Sequence, residues 1–248
     1  MKIIISPAKK MNIVNDFLEP KGLPVFLEET QALTNYIQSL SYQEAKSMWK
    51  CNDQLAALNY QRFEKMDITR ATTPALLSYE GLQYQYMAPD LLGYEELDYL
   101  QEHLRILSGF YGVLKPMDAV LPYRLEMQAK VALSDGTKSL YKFWGQKLYD
   151  ELGENELIVN LASKEYFKAI EPFVEEKVQF VTIIFNSYDK AGKLKVKATE
   201  AKIARGEMVR FMAEKRIESL EELKKFTGRN FRFQQDLSDD LTMIFVQK

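Results

Sequence analysis

Short apolar runs alternate along this chain with segments whose apolar residues recur at helical spacing, and the two patterns together predict its elements. Lys2 to Ser6 reads as a strand that opens into the loop Ser6-Pro7-Ala8-Lys9. Glu28 to Leu40 reads as a helix with Leu33, Tyr36, Ile37 and Leu40 on one face. Ser41 is placed to cap a helix over 42–50 and Asn52 to cap one over 53–63, which leaves only a turn around Lys50 and Cys51 between them. Residues 74–103 read as helical or loop-like. Leu104, Ile106 and Leu107 mark a short inner strand, Ser139 to Leu152 a helix, and Leu157 to Leu161 a buried strand. Val178 to Phe185 and Lys193 to Ala198 form a β-hairpin about Asp189-Lys190-Ala191-Gly192, and Leu241 to Val246 is a terminal strand. The elements interleave without a regular βαβ period. That predicts an α+β (mixed α/β) fold, a mixed β-sheet core wrapped by helices, in preference to a doubly wound one.

Two segments add chemistry to this frame. After the strand at 104, Ser108, Gly109 and Gly112 permit tight turning and close backbone approach, and Pro116 and Pro122 stiffen the connection. Arg105, Tyr111, Tyr123, Arg124 and Glu126 supply polar groups there, either as a site or as a corner in which Arg124 and Glu126 satisfy each other. The second segment is the helix over 200–216, where steps of about 100° sort the residues into three arcs. Ala201, Ala204, Met208, Phe211 and Met212 make an apolar stripe, with Glu200, Glu207 and Glu214 on one flank. Lys202, Arg205, Arg210 and Arg216 lie on the other, around Gly206. This flank is either a solvated face or a basic wall to which Gly206 lets an anion come close.

Composition narrows the function classes. A chain of 248 residues that is 46% hydrophobic builds a sizeable core, and no spacer or repeat divides it, so one domain over 1–248 is expected. The amino-terminal apolar run is too short for a signal peptide and no stretch nears the roughly 20 apolar residues of a membrane span, so no membrane association and a cytoplasmic location are expected. One cysteine, Cys51, and one histidine, His103, supply neither a disulfide nor a zinc or iron-sulfur site, so no metal and no cofactor are expected. Cys51 reads as a packing residue or, beside Lys50, as a peroxide-sensing thiol, and His103 as a surface or capping residue. The net charge of -2 means that binding to DNA requires basic groups segregated onto one surface.

Four stretches together resemble the YaaA family of bacterial peroxide-stress proteins: Ser6-Pro7-Ala8-Lys9, the block 104–127, Asn160-Leu161-Ala162-Ser163-Lys164-Glu165-Tyr166-Phe167-Lys168, and Ala201 to Arg210. The resemblance covers nearly the whole chain. It implies a mixed α/β fold of its own kind, a role in surviving hydrogen peroxide linked to restraint of free iron, and binding of double-stranded DNA through a positive cleft with a helix-hairpin-helix element. The pair of helices about Lys50 is compatible with that element or with an ordinary αα-hairpin, since the usual hairpin glycines are absent. Tyr79-Glu80-Gly81-Leu82-Gln83-Tyr84 departs from a Phe-x-Gly-Asp-Val-Tyr-like pattern by placing Leu82 at the aspartate.

Duplex contacts are accordingly expected from Lys9, Lys50, Asn52, Arg62, Arg124, Lys202, Arg205 and Arg210. Nucleotide-binding loops, zincin motifs and nucleophile elbows are absent. The competing expectation is an enzyme with an anion pocket for a phosphate- or carboxylate-bearing metabolite. Lys9, Arg105, Tyr123, Arg124, Glu126, Ser163, Tyr166, Lys168, Lys202 and Arg205 would build it, with Glu126 or Lys202 moving the proton. A third reading is a scaffold that acts on iron through an unknown protein partner.

Overall fold

The computed structural model describes residues 1–14, 18–154 and 156–247. In chain order its strands are β1 (Lys2–Ile5), β2 (Lys10–Met11), β3 (Thr73–Pro74), β4 (Tyr79–Glu80), β5 (Leu104–Ser108), β6 (Gly112–Leu114), β7 (Ala119–Val120), β8 (Leu157–Asn160), β9 (Gln179–Tyr188), β10 (Leu194–Lys195), β11 (Phe231–Phe233) and β12 (Thr242–Gln247). The helices are α1 (Leu27–Ser39), α2 (Tyr42–Trp49), α3 (Asp53–Glu64), α4 (Ala75–Ser78), α5 (Leu82–Met87), α6 (Tyr94–His103), α7 (Leu140–Trp144), α8 (Lys147–Asp150), α9 (Lys164–Phe167), α10 (Ala198–Lys215) and α11 (Leu220–Leu223).

Ile3, Ile4 and Ile5 are fully buried, as a strand covered on both faces requires, and β1 lies inside an eight-stranded sheet. The order is β11-β12-β9-β8-β1-β5-β6, with β10 on β9. The strands β5, β1, β8, β9 and β12 run parallel, while β6, β11 and β10 are antiparallel to their neighbours, so the sheet is mixed as the sequence predicts. From β1 the chain adds β5 on one side, then β8, β9 and β12 in succession on the other. The direction of addition thus reverses between β1 and β8, the place where open α/β sheets leave a crevice at their carboxyl ends. Among the described residues, α1 to α6 lie in the connection from β1 to β5, which is why no βαβ period is visible in the sequence.

Ser41 and Asn52 cap α2 and α3 as expected: Ser41 forms a capping box with Glu44, and the Asn52 side chain accepts from the Leu55 N–H at 2.9 Å. Two expectations are corrected. The helix over 139–152 is broken into α7 and α8 at Gly145, whose φ of +51° ends the first segment. His103 is buried rather than superficial, with Nδ1 3.0 Å from the Met1 carbonyl and Nε2 3.3 Å from Glu218. Among the described residues no helix is long and apolar enough to cross a membrane.

The packing of α10 also differs from the three-arc reading. Ile203, Gly206, Val209 and Ala213 are buried along with the apolar stripe, so the helix is covered over most of its circumference. Gly206 meets α5 rather than an anion: a Cβ there would lie 2.1 Å from the Gln83 carbonyl oxygen. Arg210 pairs with Glu214 at 2.7 Å one turn on, and Arg216 pairs with Glu95, so neither belongs to a free basic wall.

Candidate functional site

The loops that leave β1 and β8 are tied together at the reversal point. The Ser163 N–H donates to Ser6 Oγ at 2.8 Å, and the Ser6 hydroxyl donates to Ser163 Oγ at 3.2 Å. A third wall comes from residues 123–126. It reaches the sheet because Gly109 has no side chain: a Cβ there would lie 2.6 Å from the Leu125 carbonyl oxygen and 3.0 Å from the Met127 nitrogen. Tyr123 is fixed beneath this wall by hydroxyl contacts of 2.6 Å to Ser108 and 2.8 Å to Tyr79. The Ser108 hydroxyl oxygen is held in turn by the N–H groups of Phe110 and Tyr111. With α5 and the first turns of α10, these loops enclose a cavity of about 390 Å³.

Among the described residues the cavity is bordered by five basic side chains, Lys9, Lys10, Arg124, Lys202 and Arg205, and three acidic ones, Glu80, Glu126 and Glu165. Glu80 is taken by Lys10 at 2.6 Å and by Asn12. Glu126 bridges Arg124 at 3.1 Å and Lys9 at 3.0 Å. Burial pushes the Glu165 carboxyl above the usual carboxylate range, with the Glu126 charge adding to the shift and the Gln128 N–H opposing it, which weakens the third negative charge. Arg205 has no ion pair or hydrogen bond to any described residue, its Nε is inaccessible and unpartnered, and burial lowers its pKa. Tyr84, Tyr123 and Tyr166 add aromatic surface, and burial keeps their hydroxyls protonated, Tyr123 being pushed up to about 12. Among the described residues no cluster of three or more His, Cys, Asp or Glu side chains is placed to hold a metal ion.

Of the residues expected in an anion pocket, Lys9, Tyr123, Arg124, Glu126, Ser163, Tyr166, Lys202 and Arg205 converge on this cavity. Arg105 does not. It sits early in β5, far from the carboxyl end of the strand, and donates to the carbonyls of Gln101 and Leu104. Lys168 is also outside, exposed at the end of α9, because it stands two positions after Tyr166, about 200° around the helix, and is turned away.

The wider basic set is dispersed. Lys50, in the left-handed conformation at the end of α2, borders a neighbouring hollow of about 180 Å³ that shares Lys9, Arg124 and Glu126 with the cavity. Arg62 lies elsewhere, half-buried beside Met66 and Pro122, and Asn52 is occupied as a helix cap. The three-residue turn between α2 and α3 is that of an αα-hairpin, and the Asp53 carboxylate, paired with Lys46 at 2.6 Å, stands at the start of α3 where a phosphate would approach. Sequence reasoning missed Gln83, Glu80, Lys10 and Glu165 as wall residues. Residues 82–87 alternate Gln83 and Gln85 with apolar and aromatic side chains, and nothing in that pattern marks Gln83 as the one that turns inward. Leu82 also borders the cavity, an apolar side chain at the position of the aspartate in the Phe-x-Gly-Asp-Val-Tyr-like pattern.

Fold and site together define a mixed α/β protein with a cation-lined cavity at the carboxyl edge of its parallel strands. The family model described as "Peroxide stress protein YaaA" matches residues 1–237, and the chain belongs to that family. Relatives agree over the full length. The chain is 53% identical to a UPF0246 protein of Lachnoclostridium phytofermentans, with all of this chain and 96% of the relative aligned. It is 50% identical to one of Pediococcus pentosaceus and 49% identical to one of Desulfitobacterium hafniense, with all of this chain and 98% of each relative aligned.

Proposed function

We propose that this peroxide-stress family member binds a small phosphate- or carboxylate-bearing molecule in the cavity between Ser6, Arg124, Ser163 and Arg205. The observation that carries this reading is the unpartnered guanidinium of Arg205. A partly desolvated charge with no partner is unfavourable, so a protein that keeps one gains by having an anion join it. An arginine fork binds carboxylate or phosphate with two parallel hydrogen bonds. The cavity volume falls within the range of small-molecule sites, whereas a duplex is too wide to enter it. Glu126, between Lys9 and Arg124, is the carboxylate positioned to exchange a proton with such a ligand.

Duplex DNA is the second reading, favoured by the family resemblance and by one observation. The hollow next to the cavity continues the basic groups from Lys9 and Arg124 to Lys50 on the α2–α3 turn, a path along which phosphates can be tracked. Restraint of free iron enters either reading only as a downstream effect, and both presume a cytoplasmic protein.

Titrating wild type, Arg205→Met and Lys202→Glu with inorganic phosphate, phosphorylated sugars and short duplexes at several salt concentrations tests both. Saturable small-ligand binding that disappears in Arg205→Met supports the cavity reading. Duplex affinity that falls with salt, with a log-log slope shallower by about one in Lys202→Glu, supports the DNA reading. No binding of either kind to the wild type defeats both.

A further inference from the structure

Of the residues that carry a buried side-chain nitrogen without a hydrogen-bond partner, Gln83, Arg124 and Arg205 border the cavity and Trp49 borders the adjoining hollow, while Arg105 lies outside both. Gln83 differs from the others because it is uncharged. At 8% exposure it is more than nine-tenths buried, its backbone is pressed under Gly206, and no described residue hydrogen-bonds to its amide. An anion satisfies a guanidinium but is a poor partner for an amide, which presents a donor and an acceptor side by side. That pair is complementary to the edge of a nucleobase, as in the bidentate contact of glutamine with adenine. The cavity also offers flat apolar surfaces, Tyr84, Tyr123 and Tyr166, against which a ring can lie.

We infer that the ligand of this cavity is a nucleotide, its base edge read by Gln83 and its phosphate held by Arg124, Lys202 and Arg205. This rests on the anion-cavity reading above and adds the uncharged half of the ligand. The nucleotide is either a free nucleoside monophosphate or one unit of a nucleic-acid strand.

Calorimetric titration of wild type and Gln83→Met with inorganic phosphate, ribose 5-phosphate, the four common nucleoside monophosphates and a short single-stranded oligonucleotide tests the inference. At least one monophosphate, or the oligonucleotide, is expected to bind about tenfold or more tightly than ribose 5-phosphate, the scale of discrimination that one bidentate base contact gives. Gln83→Met, close to glutamine in volume, removes that advantage and leaves ribose 5-phosphate unchanged. A Gln83-dependent advantage seen only with the oligonucleotide makes the nucleotide strand-borne. Equal affinity of ribose 5-phosphate and every nucleotide ligand for the wild type overturns the inference and leaves the anion reading standing, as does a base preference that a folded Gln83→Met retains. Failure of phosphate, sugar phosphate and nucleotides alike overturns both. Should Gln83→Met not fold, the wild-type preference decides alone.

Discussion

Ser163 donates its backbone N–H to the hydroxyl of Ser6, and this bond joins two loops 157 residues apart at the point where the order of strand addition reverses. It fixes the mouth of the cavity without drawing on any charged group. Ser6 is doubly employed, since its carbonyl accepts from the Tyr84 hydroxyl at 2.9 Å and so also ties β1 to α5. Ser6→Ala keeps that second bond but leaves the Ser163 N–H without its acceptor. The variant should lose about 1–2 kcal/mol in denaturant unfolding, in the range for a partly buried donor left unpaired. An unchanged midpoint and slope would mean that water replaces the hydroxyl fully.

Gly206→Ala tests how rigidly α10 and α5 are joined. The added methyl would meet the Gln83 carbonyl oxygen at 2.1 Å and the Met87 nitrogen at 3.0 Å, and both are backbone atoms that cannot swing aside. Two helices must separate to admit it. Loss of roughly 2–4 kcal/mol is expected, beyond ordinary overpacking, despite the better helix propensity of alanine. Thermal melting of the pair of proteins measures it, and a variant as stable as wild type would show that the contact is not close in solution.

Much of the site was legible because its residues follow apolar runs directly: Lys9 after Ile3-Ile4-Ile5, Ser163 after Leu157 to Leu161, and Arg124 shortly beyond the strand at 104. A strand end delivers whatever comes next to one edge of a sheet, so local pattern was enough. Arg105 shows the limit. Its position within the strand rather than after it sends the guanidinium back toward Gln101, and alternation along a strand does not reveal which end lies nearer the site. Sheet order was likewise hidden, because the pairing of β1 with β8 depends on contacts 156 residues apart, as between Ile3 and Val159. The sequence leaves the flank around Gly206 either solvated or open to an anion, whereas the space is filled by α5, a distinction that only packing makes.

Arg205→Met separates stability from function. In the wild type Arg205 is half-buried, with its Nε inaccessible and unpartnered, so that part of its desolvation is not repaid by any described residue. Methionine keeps much of the length and apolar contact while removing the charge. The variant should be as stable as wild type or more so by about 1–2 kcal/mol, while phosphate binding is lost. Differential scanning calorimetry without ligand, followed by titration with phosphate, gives both values. A clear loss of stability in Arg205→Met would mean that the guanidinium has partners in solution that offset its burial.

Asp118 makes the stability depend on pH in an uncommon direction. Burial pushes its carboxyl up to about 6, although the Lys115 N–H, at 2.8 Å, and the charges of Lys115 and Arg105 favour ionisation; Glu151 opposes it. Since an unfolded aspartate titrates near 3.9, the native state binds more protons than the unfolded one between about pH 4 and pH 6. The stability associated with the protonated group is therefore present below that window and lost as pH rises through it. A shift of about two units corresponds to a loss on the order of 3 kcal/mol above pH 6. Asp118→Asn stays neutral and keeps an acceptor for Lys115. It should exceed wild type by roughly 2–3 kcal/mol in urea unfolding at pH 7.5 and match it near pH 4. Differencing the two proteins cancels the other carboxylates, so an offset that is the same at both pH values would show that Asp118 does not titrate in this window.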